Sequence, residues 1–137
     1  MNRKKRSSVS NPIARAYAIK RMKEAVVGHR ISIFMMDEGQ DAESATVATS
    51  LPVFAMMFCL EELKEEDSVD YRKLKSAVNV LLECSGNHFK WKRDYAITLD
   101  NALGIAQDRW GKVPKELLGR AVDYLSHGFA GKNGAGW

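Results

Sequence analysis

Apolar residues along this chain recur at intervals of three and four, the period of α-helices that bury one face. Asn11-Pro12 supplies an N-cap followed by proline in the first helical position, where its missing N–H costs nothing. Ile19, Met22, Val26, Ile33 and Met36 then fall near helical spacing, predicting a helix from about 12 to 38 with Gly39 as its stop. Asp41 or Ser44 opens a second helix carrying Val47, Leu51, Phe54 and Phe58 at spacings of four, three and four. Its segment LPVFAMMFCL (51–60) is apolar on every side, which predicts the most buried helix, or one covered in part by another subunit. Pro52 predicts a kink or a late start near Ser50, and the helix exits through EELKEED (61–67).

Ser68 is an N-cap for a third helix, with Asp70 in its first turn and a stripe of Leu74, Ala77, Val78, Leu81 and Leu82 that ends at CSGN (84–87). A fourth carries Tyr95, Leu99, Ala102, Leu103, Ala106 and Trp110 before Gly111 stops it. Pro114 starts a fifth, with Leu118, Ala121, Val122 and Leu125 facing inward. Only RISIF (30–34) alternates in the manner of a strand, and it lies inside a helical pattern. The expected fold is all-α, a compact four- to five-helix bundle with short connections. The expected organisation is a flexible basic arm at 1–10, one helical domain at 11–128, and a flexible Gly-rich tail at 129–137.

Composition supports a folded core: 137 residues with a hydrophobic fraction of 45% need neither disulfide nor metal. Cys59 and Cys84 sit in apolar helical patterns and read as reduced core thiols of a cytosolic protein. The net charge of +4 belongs to the arm, because Arg3, Lys4, Lys5 and Arg6 account for all of it and leave the rest formally neutral. The basic start runs into Ser7, Ser8, Ser10 and Pro12 rather than an apolar stretch, so no secretory signal is expected. The longest uncharged run, 44–60, has 17 residues and several polar ones, too short and too polar for a membrane span. A cytoplasmic location follows as the expectation.

Catalytic and metal chemistry find little support. Cys84 and His88 are four apart, but Gly86-Asn87 interrupts the helix between them, and no residue is spaced to orient the histidine. DEGQDAE (37–43) lacks the spacing of a calcium loop, and His29, His88 and His127 have no paired-ligand spacing. There is no Gly-rich phosphate loop and no serine-nucleophile signature. No enzyme activity, metal, cofactor or small-molecule substrate is expected.

Binding is better represented. In Phe89-Lys90-Trp91-Lys92-Arg93, alternating aromatic and cationic residues suit base stacking with phosphate contact, or a protein interface rich in aromatic and arginine residues. The other reading is that Phe89 and Trp91 complete the core while only the cations meet water. Met56 and Met57 are further partner contacts if exposed, since Met-rich surfaces adapt to partners. The KELLGRAVDYL segment (115–125) is a poor DNA reader, because Glu116 and Asp123 oppose Lys115 and Arg120. A charge pattern adds one more expectation. Acids crowd the C-terminal end of helix two and cations the start of helix four, both unfavourable to the helix dipole, so EELKEED and KWKR are candidates to neutralise each other, within one subunit or across a dimer.

The leading expectation is a non-enzymatic helical protein that acts by protein–protein interaction, itself a homodimer through helix two. Its small size, helix content and basic arm resemble, at the level of class and on no diagnostic motif, accessory proteins of phages and mobile elements. Two alternatives stand beside it. One is a nucleic-acid-associated regulator using Arg3, Lys4, Lys5, Arg6 and the 89–93 patch; the other is an inhibitor of a host or defence complex.

Overall fold

A computed structural model describes residues 12–39, 43–84 and 90–135. Five helices follow one another: α1 (Pro12–Phe34), α2 (Glu43–Glu62), α3 (Val69–Cys84), α4 (Arg93–Trp110) and α5 (Lys115–Ala135). The described residues contain no strand. The all-α bundle expected from the hydrophobic period is the observed fold. The expected basic arm at 1–10 lies outside the described residues.

Helix α2 is the centre, packing against each of the other four helices. Val53, Ala55, Met56, Cys59 and Leu60 are all fully buried, while Leu51, Phe54 and Phe58 are half-buried, so the apolar helix is enclosed on most of its circumference. Pro52 lies buried inside it and takes an N–H away from the Ala48 carbonyl, yet the helix runs from Glu43 through Glu62 without a late start at Ser50. This burial turns most of the apolar surface of α2 toward its own chain.

The helix ends follow local chemistry. Ser68 caps α3, its Oγ accepting the Tyr71 N–H at 3.1 Å. Gly111 caps α4. At the end of α2, Glu65 N–H donates to the Leu60 carbonyl at 2.8 Å and Lys64 N–H to that of Glu61 at 3.1 Å, with Lys64 in the left-handed region at φ 63°. That is a Schellman turn built on a lysine where glycine is the usual occupant. Helix α1 stops at Phe34, short of its expected end. Gly39, at φ 86°, serves a different purpose: its N–H donates to the Trp91 carbonyl at 2.9 Å. Helix α5 runs to Ala135, so its helical backbone enters the segment expected to be a tail.

Helix α1 lies across α2, α4 and α5, held by two arginines placed alike. Arg15 reaches over Gly119 on α5 to Asp123, one turn further on, at 3.1 Å. Arg30 reaches over Gly104 on α4 to Asp100, one turn back, through two bonds of 2.6 and 3.0 Å, and also donates to Gln107. A Cβ at Gly104 would stand 3.1 Å from the Arg30 guanidinium, and one at Gly119 would overlap the Arg15 side chain. Both glycines therefore give room for an arginine from a neighbouring helix. Paired, bidentate geometry suits guanidinium better than ammonium.

Candidate interaction surface

The segment after the third helix carries the binding surface expected from the sequence. Phe89 lies outside the described residues, as do Arg3, Lys4, Lys5 and Arg6. Trp91 is 1% exposed and belongs to the core, where its ring meets Tyr95 edge-on at 6.0 Å. It is therefore corrected from a partner contact to a packing residue. Lys90, Lys92 and Arg93 remain at the surface. Lys92 has extended backbone (φ −120°, ψ 144°), and side chains alternate between the two sides of an extended stretch, which sends Trp91 inward and its cationic neighbours outward. Lys92 rests 5.8 Å from the Tyr95 ring centre. The Arg93 N–H, at the start of α4, donates to Glu38 Oε2 at 3.2 Å, so a carboxylate from the α1–α2 connection supplies the cap that the Lys92 side chain does not.

Met56 and Met57 are 0% and 9% exposed, so the condition under which they would contact a partner is not met; they fill the core. The acidic end of α2 does not meet KWKR within the chain. Glu61 accepts from the Tyr71 hydroxyl, Glu62 pairs with Arg120 at 3.6 Å, and Glu65 pairs with Arg109 at 2.9 Å. Arg109 also reaches Asp70 at 2.9 Å, tying α4 to the start of α3.

Neither cysteine is poised to react. Burial pushes the Cys59 thiol up to about 11 and, with the charge of Glu83 adding to it, the Cys84 thiol up to about 12, the reverse of what a nucleophile needs. His88 lies outside the described residues. His29 is hydrogen-bonded to the buried Thr49 hydroxyl at 2.7 Å and bridges α1 to α2. Among the described residues no group of three His, Cys, Asp or Glu side chains is arranged to hold a metal ion, and no helix is long and apolar enough to cross a membrane.

The surface feature missed in the sequence is on α1. Its inner face contributes Met22, Val26 and Ile33 to the core. Its opposite face exposes Ile13 (80%), Tyr17 (59%), Val27 (56%), Ile31 (64%) and Phe34 (52%). Elsewhere, large exposed apolar residues such as Leu82, Ile97 and Tyr124 are scattered at most two to a helix, which is ordinary for a protein surface. Several of them aligned on one helix are not. Two grooves flank this ridge. One, of about 660 Å³, runs against the α4–α5 junction beside Ile19, Lys23, Trp110 and Leu118; the other, of about 550 Å³, runs against α2 beside Val26, His29, Leu51 and Pro52. The signal was present in the sequence as a second apolar series out of phase with the first, at 13, 17, 27, 31 and 34. Comparison of the chain with known protein families, with curated proteins and with solved structures finds no match.

Proposed function

We propose that this chain is a non-enzymatic helical interaction protein and that it binds its protein partner through the outer face of α1. The observation that carries this reading is the exposed apolar series Tyr17, Val27, Ile31 and Phe34 on a helix whose opposite face is already packed. A helix buried on one side needs no apolar residues on the other, and leaving several in water is unfavourable by about 1.5–3 kcal/mol for each large side chain relative to burial. The elevated thiol pKa values support a non-catalytic role for both cysteines. Their buried, unbridged state agrees with a cytoplasmic site of action. The nucleic-acid alternative loses Trp91 as a stacking residue, and Arg93 of its cationic set stands beside the acidic Glu38 and Asp94.

The test compares wild type with the double variant Tyr17→Glu/Ile31→Glu, both tagged, by capture from native lysate with and without nuclease. Both substitutions fall on exposed positions, so the melting temperature is expected to stay unchanged. A defined protein partner, retained after nuclease and lost with the variant, is the expected result. A partner set that the variant keeps in full overturns the reading, and one that disappears with nuclease favours nucleic acid.

A further inference from the structure

The outer face of α1 carries an order as well as apolar area. Positions 13, 17, 20, 24, 27 and 31 step by four, three, four, three and four residues. This alternation keeps side chains on one seam when a helix faces another helix. The seam reads Ile13, Tyr17, Lys20, Glu24, Val27, Ile31, and every one of these residues is exposed. From either end the series is two apolar residues, a charge, its opposite, and two apolar residues. A surface that meets its own copy across a two-fold axis must be self-complementary, with residue i on j and j on i.

We infer that the partner of this face is a second copy of the chain, with the two α1 helices antiparallel. This rests on the reading of α1's outer face as a binding surface and specifies its occupant. Tyr17 lies against Val27 of the second copy, Ile13 against Ile31 of the second copy, and Lys20 against Glu24 of the second copy, each pair occurring twice. Other pairings are worse. A parallel, in-register pair sets Lys20 on Lys20 and Glu24 on Glu24. An antiparallel pair shifted by one heptad either way sets Glu24 on Val27 or on Ile13, desolvating a carboxylate against a hydrocarbon. A charged pair inside an apolar seam commonly fixes register and orientation in this way.

Within one chain, neither Lys20 nor Glu24 has an ion-pair partner among the described residues, so both are available across the seam. Arg21 stacks on Tyr17 at 5.8 Å and Lys23 on Trp110 at 5.6 Å, each held on its own chain beside the seam. The centre of the dimer is therefore rich in cations, and Glu24 is the acid that balances them. Its replacement has the largest effect.

The experiment is sedimentation equilibrium on the full chain across a dilution series, joined to a register test by cysteine pairing. Wild type is expected to dimerise. Glu24→Lys is expected to weaken the dimer by roughly tenfold or more in Kd, and adding Lys20→Glu to that variant is expected to restore most of the loss. The double variant Tyr17→Cys/Val27→Cys is expected to form a disulfide-linked dimer on mild oxidation, and each single variant is not. Positions 17 and 27 are about 15 Å apart along one helix, as are the two copies of either position in this register, beyond the reach of a disulfide. A wild-type chain that is monomeric at every concentration, a charge reversal without rescue, or cross-linking of the single variants would each overturn the inference. If the monomeric chain still loses a captured partner on Tyr17→Glu/Ile31→Glu, the second copy is excluded while α1's role as the binding face stands. If that variant keeps every partner, both fall.

Discussion

Trp91 separates what a residue type suggests from what its position requires. Aromatic and cationic residues alternating over 89–93 were compatible with a gripping surface and equally with a half-buried extended stretch. The period of two was the deciding signal, because extended backbone turns alternate side chains to opposite sides. Trp91→Ala is expected to lower unfolding free energy by about 3–5 kcal/mol, the usual range for emptying a tryptophan site in a core. Lys90→Ala and Lys92→Ala are each expected to stay within about 0.5 kcal/mol. Urea denaturation of the three variants checks the contrast. The thiols give a pH-dependent prediction at the same scale. Burial raises Cys59 to about 11 and Cys84 to about 12 from an ordinary 9.0, so the folded chain binds these protons more tightly than the unfolded chain. The stability they contribute is intact below about pH 9 and is lost as pH rises through 11 and 12. A series of urea midpoints from pH 8 upward should fall more steeply in wild type than in Cys59→Ala/Cys84→Ala.

Helix starts and stops that depend on one side chain were legible in advance: proline at the head of α1, Ser68 before α3, Gly111 after α4. Those that depend on tertiary contacts were not. Gly39 looked like the stop of α1, but its backbone is occupied with Trp91, far along the chain, and α1 ends earlier. The end of α2 was placed within EELKEED, but the form of its turn was hidden: its left-handed residue is Lys64, a residue type that does not announce such a turn. Lys64→Gly removes that strain at some cost in unfolded-chain entropy, and is expected to raise stability by about 0.5–1 kcal/mol. A thermal melt that shows an unchanged or lower midpoint would contradict this account. Helix α1 was half legible. One apolar series identified its core face, and the second, opposite series has no meaning for a helix considered as part of a single chain.

At the scale of the molecule, the hydrophobic period revealed the bundle and the central place of α2. It left open whether α2 also meets a second subunit, because a helix apolar all round is equally suited to the centre of one chain and to a contact between two. Arg15, Arg30 and Arg109 show why charge counting had little to offer: each is matched by named carboxylates on another element, and such pairing is invisible in a net charge. The two arginines of α1 that lie over glycines have a consequence for heredity. Gly104 and Gly119 can change to a larger residue only if Arg30 and Arg15 give way, and those arginines can shorten only by leaving a gap above a bare backbone. Each pair is thus inherited as a unit. Divergent descendants of this chain should keep or lose the arginine and its glycine together, even where the residues around them drift.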